Sequence, residues 1–158
     1  MAASSSAAIF KQVWKILTQG KNFDRIFQKV NLVSVSPGRC RCELTVEEEH
    51  ANGQGTLHGG FTMSLVDYMT TLSILTGTDG RLGVSVQFNM SFMQAAKIGE
   101  KVAMEAELIK AGKSLAFTKA DVFNAKGDII AQGQQTMFIG SNKKVQDFVD
   151  LKSLLKES

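Results

Sequence analysis

Between His58 and Thr76 the chain carries Phe61, Met63, Leu65, Val66, Met69, Leu72, Ile74 and Leu75. On a helix these positions point in nearly every direction, so the helix is expected to be buried rather than to lie on a surface. Gly77 supplies its stop signal. The flanking sequence has a different period. Cys40, Cys42, Leu44 and Val46 alternate with Arg39, Arg41, Glu43 and Thr45, the mark of a half-buried antiparallel strand. Val30–Val35 (ended by Pro37-Gly38), Val84–Met93 and Val102–Lys110 read as further strands. Leu115–Phe123 and Ile129–Ile139, joined through Asn124–Asp128, read as a hairpin. Asn22–Phe27 reads as a short helical turn capped by Asn22. The pattern predicts an α+β fold in which an antiparallel sheet of five or six strands wraps a long central helix.

The chemistry gathers at the start of that helix. Ala51-Asn-Gly-Gln-Gly-Thr-Leu-His-Gly-Gly60 is a glycine-rich loop that runs into a His-Gly-Gly triplet. A helix N-terminus offers unpaired N–H groups and a partial positive charge, which suits a developing oxyanion. Asp67 lies further along on the small, polar stripe with Gly60, Ser64, Thr70 and Thr71, and is a candidate base. The combination points to attack on a carbonyl. Asp67 is nine residues beyond His58, about 13.5 Å along a helix axis at 1.5 Å per residue. One chain cannot bring both groups to one carbonyl. Either they are unrelated, or a second copy with an antiparallel helix completes two equal sites.

Composition excludes several alternatives. No apolar run approaches the roughly 20 residues that span a bilayer. Net charge is +3, but residues 31–140 carry nine basic and eleven acidic groups, so the body offers no surface for nucleic acid. Cys40 and Cys42 share a strand face with Cα atoms about 6.8 Å apart, the outer limit for a disulfide. They read as reduced packing residues of an intracellular, reducing compartment, cytoplasmic or mitochondrial. No spacing of His50, His58, Cys40 and Cys42 matches a zinc site. Residues 1–27 form an N-terminal helical segment. It is basic but has no arginine before Arg25, so a mitochondrial presequence and a helix packed on the domain are both open. Residues 28–140 form the main domain. Residues 141–158 form an extension with Val145, Phe148, Leu151 and Leu155 at helical spacing.

Several motifs recur in a fixed order: Val46-Glu-Glu-Glu-His50, Gly55-Thr-Leu-His-Gly-Gly60, Leu65-Val-Asp67, Gly83-Val-Ser-Val86, Ala96-Lys-Ile-Gly-Glu100, Gly112-Lys-Ser-Leu-Ala-Phe-Thr118 and Ile130-Ala-Gln-Gly133. On these residues the chain resembles the hotdog-fold acyl-CoA thioesterases. The resemblance implies hydrolysis of medium- to long-chain fatty acyl-CoA without metal or redox cofactor. It implies a homodimer, and a dimer of dimers, with a lipid-transfer or mitochondrial partner protein as a further expectation. Asp67 would be general base, or nucleophile, and would come from the other subunit. Asn52 would hold the water or substrate, Gly59 N–H the oxyanion, His58 the thioester, and Ser85 would position Asp67 or the water. Phe92, Met93, Gln94, Ala95, Ala96 and Lys97 would contact coenzyme A, with Lys110, Ala111, Gly112, Lys113, Ser114, Leu115, Ser85 and Ile139. Gln94-Ala-Ala replaces a common Ser-Pro-Ala turn, and Phe92 a frequent Tyr. Phe61, Leu65 and Met69 would limit the acyl chain. Two other readings stand beside hydrolysis: a non-catalytic acyl-CoA or lipid-binding regulator, and a hotdog dehydratase.

Overall fold

The sheet is built from β1 (Asn31–Ser36), β2 (Arg39–Thr45), β3 (Val84–Phe92), β4 (Lys101–Ala111), β5 (Leu115–Asn124) and β6 (Ile129–Phe138). The computed structural model describes residues 10–140 apart from 12, 13 and 16. The extension 141–158 and the first nine residues, with whatever targeting role they have, lie outside the described residues. All neighbouring strands are antiparallel, in the order β1-β2-β4-β5-β6-β3. β1 and β3 are therefore the edges. The strand count is six, and each observed strand lies within two residues of its expected bounds.

Across the inner face runs α1 (Gly59–Gly77), 19 residues long. Leu65, Val66, Met69 and Leu72 meet Cys42, Leu44, Val102, Met104, Ala120 and Val122 in one core. Burial of this apolar face supplies most of what holds helix to sheet. Glycine makes the close approaches possible. A Cβ on Gly133 of β6 would lie 2.8 Å from Val66 Cγ1, and one on Gly77 2.8 Å from Gly38 Cα. Gly38 itself has φ +73° in the β1–β2 turn, a conformation that favours glycine.

The polar stripe expected along α1 needs one correction. Thr70 is fully buried, whereas Gly60 and Asp67 are exposed and Ser64 and Thr71 half-buried. Thr70 sits in the interior because its single hydroxyl hydrogen has buried acceptors within reach, Val66 O (2.8 Å) or a side chain of β6. Met63, on the open side of the helix, is 40% exposed. The chain's own sheet therefore leaves one side of α1 uncovered.

Asn22 also departs from expectation. It precedes the 3-10 turn Phe23–Phe27, but its side chain caps nothing and instead reaches Asp24 at 3.4 Å. Cys40 and Cys42 are free and buried, and burial pushes the Cys40 thiol up to about 12 and that of Cys42 higher still. Among the described residues no helix is long and apolar enough to cross a membrane.

Trp14 ties the N-terminal helical residues to this core. It is 6% exposed, packs edge-on against Tyr68 of α1 at 5.1 Å and lies 6.4 Å from Phe27. Phe27 in turn meets Phe61 at 5.7 Å. Large-to-small changes in such a cluster cost about 3–5 kcal/mol. Trp14→Ala is therefore expected to lower the urea unfolding free energy by about 3 kcal/mol. An unchanged midpoint would show that this segment is only laid on the surface.

Candidate active site

His58 ends the loop and caps α1. Its Nδ1 accepts the Gly60 N–H at 2.8 Å, and its own N–H donates to His50 O at 2.8 Å. Gly59 is the first helical residue, so its N–H has no helix carbonyl behind it. A Cβ built there would lie 3.5 Å from the Phe92 ring, which places Gly59 at the Phe92 end of β3.

His50 holds the loop from inside. It is 1% exposed, and its Nδ1 accepts the Glu47 N–H at 3.0 Å. Burial holds its pKa below the usual 6.5, with Lys29 acting the same way and Glu49 and Glu47 opposing. A protonated Nδ1 cannot accept that bond.

Asn52 is occupied by its own turn. Its Oδ1 accepts from Gln54 N (2.9 Å) and Thr56 N (3.3 Å), and its Nδ2 donates to Thr56 Oγ1 (2.9 Å). The second Nδ2 hydrogen has no partner among the described residues. Asn52 and Gly59 line a pocket of about 320 Å³ with Thr56, Leu57, Thr62 and the stretch Phe92–Ala96. Along that stretch Phe92, Met93, Gln94 and Ala95 are exposed, while Ala96 is buried and its carbonyl takes the Leu57 N–H. Lys97 bridges to Thr56 through its backbone and is exposed.

Asp67 belongs to a different place. Its Oδ1 accepts from Ser85 Oγ at 2.9 Å and from Gln135 Nε2. Gln135 Nε2 also donates to Ser85 Oγ at 2.7 Å. Asp67 lies eight residues beyond Gly59 on unbroken helix, about 12 Å along the axis. The structure thus brings Asn52, His58 and Gly59 together at the start of α1 and Asp67 with Ser85 at its middle.

The stretches expected to meet coenzyme A divide likewise. β4 runs ten steps from Lys101 to Ala111, about 34 Å, with Lys97 before it and Lys110 and Lys113 at its far end. Lys110, Ala111, Lys113, Ser114 and Leu115 are exposed and Gly112 half-buried. Register pairs Leu115 with Phe138, whose partner on the other side is Val84, the residue before Ser85. Ile139 is fully buried, its side chain with Ile74, Ala116 and Met137 and its N–H on Ser114 O, so it offers no exposed atom in this chain.

Two participants escaped the sequence reading. Arg81 donates to Gly112 O (3.0 Å) and Lys113 O (2.7 Å), pinning the β4–β5 turn. Gln135 carried a legible signal. The period of two places it on the inner face of β6 with Gly133 and Met137, where a polar side chain needs a partner.

An antiparallel sheet wrapped on one long helix is the hotdog architecture. Comparison with known proteins narrows this. The family description "Thioesterase superfamily" matches residues 54–131. Human acyl-coenzyme A thioesterase 13 is 45% identical over 139 residues, 87% of this chain and 99% of the human protein. The crystal structure of zebra fish thioesterase superfamily member 2 shares 43% identity at a TM-score of 0.81, covering 83% of this chain and 96% of that one. The mouse thioesterase superfamily member 2 structure shares 41% at 0.79, covering 85% and 98%. The chain belongs to the thioesterase superfamily.

The His50 environment sets a pH dependence. The unfolded chain takes up a proton near pH 6.5 that the folded chain resists, so stability is lost as pH falls below about 6.5. Urea midpoints taken at about pH 7.5 and about pH 5.5 should fall more for wild type than for His50→Asn. Equal falls would show that His50 is not the titrating group.

Proposed function

We propose that the protein hydrolyses fatty acyl-CoA thioesters to free acid and coenzyme A at sites completed by a second copy. The observation that carries this is the separation just described: a carboxylate with its donors midway along α1, and an anion cradle at its N-terminus, about 12 Å away. β3 is an edge strand with Val84 65% and Val86 61% exposed. Such an edge is a ready template for pairing. Two β3 edges paired antiparallel about a twofold axis bring the Ser85 end of one copy to the Phe92 end of the other. Asp67 travels with Ser85 and Gly59 with Phe92, so each dimer gains two whole sites. The uncovered side of α1 faces the same way as Asp67, which supports a neighbour there. Coenzyme A would then draw on Phe92–Lys97 of one copy and Lys110–Leu115 of the other.

In the proposed step, Asp67 takes a proton from water as the water oxygen bonds to the thioester carbon. The carbonyl oxygen becomes an oxyanion, held by Gly59 N–H at the positive end of α1. Collapse breaks the carbon–sulfur bond. The thiolate leaves with the proton returned from Asp67, and the products are a carboxylic acid and a free thiol. A positioned base contributes roughly 10²–10⁴-fold and one oxyanion donor roughly 10²–10³-fold. His58, with Nδ1 engaged by Gly60, keeps its other ring nitrogen for the thioester. Asn52 has a single amide hydrogen left for the water. The human relative's name, acyl-coenzyme A thioesterase 13, supports the substrate class.

Asp67→Asn should lower kcat by at least about 10²-fold with KM nearly unchanged. Thiol release from a series of acyl-CoA chain lengths reads both parameters and the preferred acyl length. Wild-type turnover in the variant would remove Asp67 from the chemistry.

A further inference from the structure

We propose that Gln135 aims the carboxylate of Asp67, tying up one oxygen so that the other is left to face the reacting water; this rests on Asp67 acting as base. Gln135 is 2% exposed on the inner face of β6. One Nε2 hydrogen goes to Asp67 Oδ1 and the other to Ser85 Oγ at 2.7 Å. Ser85 Oγ–H closes the ring on the same Oδ1 at 2.9 Å. Among the described residues no side chain donates to Oδ2.

The amide is fixed in this orientation. An ionised carboxylate accepts only, so it requires Nε2 rather than Oε1. Oε1 meets the hydroxyl of Thr70, which is fully buried. The β6 backbone is anchored as well, since Thr118 Oγ1 donates to Gln135 O at 3.1 Å. A glutamine orients a base without competing for its proton, because an amide neither gains nor loses one at working pH. Ser85 alone would leave the carboxylate free to rotate about a single contact. Gln135 and Ser85 together hold it by two donors from two strands. Gln135 acts only through Asp67 and is a positioning residue.

The test is a double-mutant cycle in the full-length protein, read by thiol release. Gln135→Met keeps the bulk and removes both N–H groups. It should lower kcat about 10- to 10²-fold, as a misplaced reacting group does, with KM within about twofold. In the Asp67→Asn background it should change the residual rate by less than about twofold, because the group it aims is gone. Thr70→Val, which frees Oε1, should lower kcat in the same direction by a smaller factor, and decides the matter if Gln135→Met does not fold. Wild-type kcat in the folded single variants overturns the inference while the base assignment stands. So does an equal loss in both backgrounds, which would mean that Gln135 acts on the fold at large. Wild-type turnover in Asp67→Asn alone would sink the base assignment and Gln135 with it.

Discussion

A buried helix sets the terms for the rest of the molecule. α1 is apolar over most of its surface, so the sheet must wrap it, and once wrapped it is a stiff rod. Everything attached to the rod inherits a fixed spacing. His58 and Gly59 sit where its N–H groups are exposed, and Asp67 sits about two turns on. Neither loop motion nor side-chain rotation closes that gap, because the stretch between is held by Leu65 and Val66 in the core.

The same burial explains the incomplete coat. Six strands cover the side of α1 bearing Leu65, Val66, Met69 and Leu72 but not the side bearing Met63 and Asp67. That side opens beside β3, an edge strand with exposed valines. An edge strand, an open helix flank and the Asp67 carboxylate in one place are the features on which the proposed second copy rests. In the proposed dimer a twofold axis would join unlike ends of β3 without new elements.

Much of the fold was legible because its two periods are clean. Alternation along Arg39–Val46 and around the Leu115–Ile139 hairpin gives the strands, and the all-round apolar run gives the helix. The separation of His58 from Asp67 also follows from the sequence, given only the rise per residue. What was not legible depends on the third dimension. Thr70 looks like a surface residue by stripe, yet it is interior, because β6 presents Gln135 to its hydroxyl. Asn22 has the chemistry of a cap, but its turn leaves the side chain facing Asp24. Asn52 has the chemistry of a substrate ligand, while its oxygen is spent on its own turn. Arg81 lies far in sequence from the turn it pins and no local spacing announces it, whereas the period of two marks Gln135 as inward-facing without naming its partner.

The division of labour between two copies is tested most directly by hybrid assemblies. Asp67→Asn and His58→Ala chains, each nearly inactive, are unfolded together, refolded as a mixture and assayed for thiol release. Random pairing makes half of the dimers mixed, each with one intact site, so about a quarter of wild-type activity should return. If the mixture never exceeds the sum of the two separate variants, although mixed dimers are demonstrably present, the shared site does not exist.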